Sequence, residues 1–207
     1  MELSGGDGIF QGKVSMKFTP GYFIGGLYCL DFCNTVDHRH QPPEYELLPD
    51  GKTVLDWGRA RGTPGLGVRK EPDPDGVPLS RVRQVRERIY RVLAPLARGK
   101  NPSRAALSDF NDILRDANRK MELVRSGGTY EMACPADDPV EIVLCRAVRS
   151  AADLLLSDQA DRIRACGGCG WLFHDTTRNR SRKWCNMAIC GNRAKARRHY
   201  RKVRRKK

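Results

Sequence analysis

The chain has 207 residues and a formal net charge of +14, a length that suits one domain or two small ones with a real core. No run of about eighteen apolar residues occurs, which excludes a membrane-spanning helix. Met1-Glu-Leu-Ser-Gly-Gly-Asp7 lacks the cationic start and apolar run of a secretion signal. The charge is concentrated at one end. Residues 171–207 hold 14 of the 38 Lys and Arg against a single acid, Asp175, so this tail carries +13 and the other 170 residues only +1. A nearly neutral body with a strongly basic tail points to a polyanionic partner.

Residues 1–20, rich in Gly and polar side chains, are expected to be loose at the start. Tyr22 to Thr35 reads as a buried segment, Pro42-Pro43 and Pro49-Asp50-Gly51 as turns, and Val54-Leu-Asp-Trp57 as a short helix start. Thr63 to Pro78, heavy in Pro, Gly and Asp, reads as loop. A first long helix comes next, with Val82, Val85, Ile89, Val92 and Leu96 on one face, Ser80 as its cap, Pro95 disturbing its last turn and Gly99 just past its end. A second runs from Ser103 to about Lys120, with Leu107, Phe110, Ile113, Leu114 and Ala117 inward. Met121–Arg125 and Thr129–Cys134, joined by Ser126-Gly-Gly128, read as a β-hairpin that shares in the core. The third helix opens on Asp138-Pro-Val-Glu141, an N-cap acid, a first-turn Pro and a capping-box Glu. Its apolar stripe is Val140, Val143, Leu144, Ala147, Val148, Ala151, Leu154 and Leu155.

Cys166-x2-Cys169, fifteen intervening residues and Cys185-x4-Cys190 have the spacing of a module that surrounds one tetrahedral Zn²⁺ with four thiolates. Without a secretion signal, a reducing cytoplasm and metal thiolates fit these cysteines better than disulfides. Four thiolates close the shell, which argues for a structural metal. Gly167 and Gly168 are expected to supply the backbone angles of a tight knuckle. Trp171-Leu-Phe173 should form a strand paired with a second at Arg182–Trp184, with Asn186 capping the helix that carries Cys190. Knuckle, hairpin and ligand-bearing helix suggest a treble-clef-like module. In the last helix Ile189, Ala196, Tyr200 and Val203 should pack a stripe on that module, while nearly every other side chain is cationic. Trp171, Phe173 and Trp184 read as its miniature core rather than as base-stacking platforms.

The run Cys169-Gly-Trp-Leu-Phe-His-Asp to Cys190-Gly191-Asn192-Arg193-Ala-Lys-Ala-Arg resembles the CGNR zinc finger, a family whose members carry an N-terminal ABATE domain associated with stress-induced transcription regulation. Leu30-Asp-Phe-Cys-Asn-Thr35 and Leu55-Asp-Trp57 are similar to short motifs of that domain. The resemblance implies zinc on Cys166, Cys169, Cys185 and Cys190, and DNA binding by the finger. The division is then an ABATE-like α+β, mainly helical domain with a hairpin over residues 1–160, and a finger with a basic helix over 161–207. Candidate phosphate contacts are Arg178, Arg180, Arg182, Lys183, Lys195, Arg197, Arg198, Arg201 and Lys202, with Asn192 and Arg193 placed to read base edges.

Several features have blander readings. Cys29, Cys33, His38 and His40 could make a second metal site, but read more simply as two core thiols and two loop histidines, and Cys134 and Cys145 likewise as core. His174 is a hairpin residue. Asp31, Asn34 and Thr35 are candidates for a ligand pocket, although such residues more often cap backbone groups. No phosphate-cradling Gly-rich motif, H-E-x-x-H or Ser/His/Asp signature is present, so an enzyme is not expected. The expected protein is a cytoplasmic DNA-binding regulator whose first domain senses a small-molecule effector or mediates a homodimer. An RNA- or ribosome-associated binder, and an N-terminal ligand-binding or enzymatic domain anchored by the finger, are the alternatives.

Overall fold

A computed structural model of the chain describes residues 18–37, 39, 45–66 and 78–204. The expectations for residues 1–17, His38, His40, Pro42-Pro43 and most of the Thr63–Pro78 loop lie outside them. The helices are α1 (Tyr28–Cys33), α2 (Gly51–Ala60), α3 (Leu79–Leu96), α4 (Arg104–Lys120), α5 (Pro139–Leu156) and α6 (Asn192–Arg204). Three antiparallel pairs accompany them: β1 (Val36–Asp37) with β2 (Tyr45–Glu46), β3 (Glu122–Ser126) with β4 (Thr129–Ala133), and β5 (Ile163–Ala165) with β6 (Leu172–His174). This is the α+β, mainly helical plan expected, followed by a small cysteine module.

Helix α5 is the organising element because its apolar stripe is broad enough to meet α1, α2, α3 and α4 together. Its start is fixed by Asp138, whose carboxylate accepts from Val140 N at 2.8 Å, with Pro139 in the first turn. Glu141 does not complete a capping box. Its carboxylate instead accepts from Arg81 Nε at 2.5 Å and Lys120 Nζ at 2.8 Å, tying α5 to α3 and α4. Every residue of α1 is buried, so this short helix is core on all sides. Helix α2 starts where Asp50 accepts from Thr53 N at 2.7 Å. It approaches α5 so closely that a Cβ on Gly58 would stand 2.6 Å from Leu66 and 2.8 Å from Val143.

Other local expectations are corrected by tertiary packing. Ser80 lies inside α3, which begins after Pro78 without a side-chain cap. Helix α4 starts one residue later than expected, after Ser103, which caps it by accepting from Ala106 N at 3.1 Å, and Ala106 is buried while Leu107 is exposed. The β3–β4 hairpin forms with Ser126 opposite Thr129 and positive φ at Gly127 and Gly128, the signature of a two-residue turn. It adds little to the core, since Leu123 and Tyr130 are exposed. Cys29, Cys33, Cys134 and Cys145 are all buried in the main core, as small apolar side chains would be.

The cysteine module grows out of this core. Ile163 and Leu172, on β5 and β6, belong to the main hydrophobic cluster. Leu47, from beyond β2, sits instead in the module's own cluster with Trp171, Phe173, Cys166, Cys185 and Cys190. The backbone groups of β6 that face away from β5 are bonded to the helical body. Asn34 Nδ2 donates to Leu172 O and Leu172 N donates to Asn34 Oδ1, both at 2.8 Å, and His174 N donates to Gly25 O at 2.8 Å. Trp171 Nε1 donates to Val36 O at 3.0 Å.

Candidate metal centre and nucleic-acid interface

Cys166 and Cys169 stand on a knuckle between β5 and β6, closed by Cys166 N donating to Trp171 O at 2.8 Å and Gly170 N to Cys166 O at 3.0 Å. β5, not residues 182–184, is therefore the partner of β6, and the knuckle is the hairpin's turn. The left-handed residue is Gly170, with φ 82°. Gly167 and Gly168 stand in tight space instead: a Cβ on Gly167 would lie 3.2 Å from the Trp184 ring, and one on Gly168 3.3 Å from Cys190 Cβ.

Cys185 and Cys190 arrive on the next segment. Asn186 caps it by accepting from Ala188 N at 2.8 Å and Ile189 N at 3.2 Å, as expected. Met187–Gly191 then makes one π-helical turn, a wide turn that returns Cys190 toward the knuckle before α6 begins. A Cβ on Gly191 would collide with Met187. Between knuckle and turn, buried Asp175 organises the loop, accepting from Thr177 N at 2.9 Å and Arg182 N at 2.9 Å. Burial pushes its carboxyl upward, but these bonds and the Thr177 hydroxyl outweigh it and hold Asp175 below the ordinary carboxylate range.

All four sulfurs lie within 4.8 Å of one another. The Cys169–Cys185 and Cys185–Cys190 separations are 3.6 and 3.7 Å, matching the edge of about 3.8 Å of a tetrahedron with 2.3 Å metal–sulfur bonds. The donor set and the spacing suit a closed structural zinc site. Hydrogen bonds from Cys169 and Cys185 pull the Cys166 thiol far below its usual range, while Cys169 and Cys185 are pushed up by the same contacts. Burial, and then the negative charge of Cys166, pushes Cys190 up. Four sulfurs this close cannot all ionise unless a cation shares them.

The basic candidates divide into two groups. Arg182 is built into the finger: Nε donates to Trp184 O at 2.9 Å, a terminal nitrogen to Cys185 O, and the guanidinium lies 4.7 Å over the Phe173 ring. Arg180 pairs with Asp161. Arg178, Lys183, Asn192, Arg193, Lys195, Arg197, Arg198, Arg201 and Lys202 are exposed. Helix α6 buries none of its residues, and the expected stripe does not pack: Ile189, Tyr200 and Val203 are all exposed. Arg193, Arg197 and Arg201 recur every fourth residue and, with Arg198, form one wall of a groove of about 370 Å³. The knuckle glycines and Trp184 form the other wall. The role of Trp184 at this wall was not legible from spacing, because its groove neighbours come from both sides of the metal centre.

The pocket candidates Asp31, Asn34 and Thr35 are all spent internally. Asp31 accepts from Gly25 N at 2.8 Å and Arg61 Nε at 2.7 Å. Burial pushes its carboxyl up to about 6 against the pull of Arg61. Thr35 Oγ1 donates to Phe32 O at 2.8 Å and accepts from buried Arg86 at 3.1 Å. None of the three lines the groove beside α6 or the concavity formed by α1, α2, α5 and β6.

A helical body joined to a four-cysteine, helix-bearing module has the plan of a zinc-finger protein. The sequence pattern of the ABATE family, described as a putative stress-induced transcription regulator, matches residues 26–158, and that of the CGNR zinc finger matches residues 162–203. The chain belongs to the ABATE family and carries a zinc-binding CGNR finger. Neither description is enzymatic. A comparison with curated proteins found no match. Among the described residues, no helix is long and apolar enough to cross a membrane.

Proposed function

We propose that this protein is a DNA-binding transcription regulator in which Cys166, Cys169, Cys185 and Cys190 hold one structural zinc. The metal, when bound, locks the knuckle against the turn that launches α6. The exposed cations of α6, with Arg178 and Lys183, meet phosphates, and Asn192 and Arg193 at the helix start reach base edges. Residues 1–160 form the signal-receiving unit and 161–207 the binding unit.

One contrast carries this reading. Many cations of the helical body have carboxylate partners: Arg86 with Glu46 at 2.7 Å, Arg39 with Glu87 at 2.8 Å, Arg81 with Glu141 at 2.5 Å, Arg91 with Asp109 at 2.9 Å. On α6, among the described residues, no cation has a carboxylate partner. Like charges at this density destabilise an isolated helix, so a helix left unpaired and unburied is held best by an external polyanion.

The test is fluorescence anisotropy of the zinc-loaded chain on duplex DNA and on structured RNA across salt. With about five to eight phosphate contacts, log K should fall against log salt with a slope of about −4.5 to −7 on DNA. A flat salt response, or equal affinity for the intact chain and an Arg193→Ala/Arg197→Ala/Arg201→Ala variant, would sink the proposal. Preference for RNA in direct competition would replace DNA with the alternative partner.

A further inference from the structure

A second concavity, of about 410 Å³, lies away from the metal centre, where the helical body meets the finger. Its walls come from the start of α1, the end of α2, the outer face of α5 and the end of β6. Its polar lining includes Arg61, Arg146, Ser150, Asp153, Gln159 and His174. Its volume falls within the range of small-molecule sites.

Three observations give the chemistry. Arg61 is fixed in place by the bond from its Nε to buried Asp31 at 2.7 Å and lies over the Phe23 and Tyr28 rings. Arg146 has no carboxylate partner among the described residues, in contrast to its neighbour Arg149, which donates to Asp153 at 2.8 Å. That bond also neutralises the one carboxylate in the cavity wall. His174 belongs to the lining, but its Nε2 is shut off from solvent with no hydrogen-bond partner among the described residues, a condition that costs free energy and that a turn of the ring toward an occupant would relieve. Ser150 Oγ accepts from Cys29 N at 3.2 Å and so retains its own hydrogen to donate.

We propose that this cavity binds a small organic oxyanion, a phosphate- or carboxylate-bearing molecule, with Arg146 supplying unpaired charge, Arg61, held by Asp31 through Nε, adding guanidinium donors, and Ser150 and His174 supplying directed hydrogen bonds. A planar fork of donors suits both oxyanions. Because the lining spans α1, α2, α5 and β6, an occupant would bind only when finger and helical body are docked, and so would stabilise their junction by mass action. The site is independent of α6 and of the nucleic-acid reading.

The test uses the full, zinc-loaded chain, titrated with inorganic phosphate in one arm and succinate in the other at ionic strength held constant with sodium chloride. The readouts are the NMR signals of the His174 ring and the thermal midpoint. The expected result is a saturable His174 shift and a raised midpoint with one probe, which identifies the oxyanion class. Arg146→Gln should weaken that binding about tenfold, and Arg197→Gln/Arg201→Gln should leave it unchanged. Arg146 is exposed, so its substitution leaves the fold intact, which an unchanged ligand-free midpoint verifies. A His174 ring that responds to neither probe overturns the proposal. So does a response that survives Arg146→Gln but is lost with the α6 variant.

Discussion

Replacing Asn34 with Ala tests how the finger is held to the helical body. The Asn34 side chain makes two bonds of 2.8 Å with one residue, donating to the carbonyl and accepting from the N–H of Leu172. Asn34 is 3% exposed and Leu172 is fully buried, so water cannot easily replace the lost partner. Each stranded backbone group costs about 1–3 kcal/mol, and partial relaxation reduces the sum to about 2–4 kcal/mol. The assay is urea unfolding of zinc-loaded protein, with the denaturant dependence checked to be unchanged. A parallel measurement tracks zinc release to a chromogenic chelator, which should be faster in the variant because β6 carries the knuckle. A loss below about 0.5 kcal/mol with unaltered zinc release would show that the amide does not secure β6, and the reasoning would fail.

Zinc removal should propagate beyond the finger: a chelator, or Cys185→Ser, should lower the melting midpoint of the whole chain, because Ile163 and Leu172 are shared with the main core. Circular dichroism with and without added zinc measures this, and an unmoved helical transition would contradict it. Gly58→Ala should destabilise by about 1–3 kcal/mol through overpacking against Leu66 and Val143, read as a lower urea midpoint. The two buried aspartates should titrate in opposite senses. The Asp31 carboxyl is raised to about 6 from 3.8, so its contribution to stability falls as pH rises between those values. Asp175 is held low, so its contribution is present above the ordinary value and is lost as pH falls through the folded one. Stability of the wild type relative to Asp31→Asn and to Asp175→Asn, measured from pH 7 into the acid range, should therefore slope in opposite directions.

The sequence made legible those features that local chemistry alone decides. The zinc spacing is local because a metal imposes its geometry on neighbours in the chain, and the start of α5 is local because Asp138 and Pro139 act within one turn. Glu141 was misread because its local role lost to Arg81 and Lys120, which reach it from other helices. β5 was missed because three residues carry no alternation to detect and its turn is the knuckle itself. The stripe on α6 has the right period, yet nothing lies opposite it among the described residues, so periodicity signalled burial that the fold does not provide. Arg61, Arg146 and His174 stand far apart in sequence and meet only once α5 and β6 are in place, which no spacing rule could reveal.

The pairing of β6 has a consequence for solubility. A two-stranded ribbon leaves two open flanks, each a template on which another chain could add a strand. In the finger the inner flank of β6 is occupied by Asn34 and Gly25, which answer its outward N–H and C=O groups as a neighbouring strand would. The outer flank of β5 is three residues long and its Ile163 carbonyl accepts from Arg164 at 2.8 Å, which leaves too little edge to seed edge-to-edge self-association.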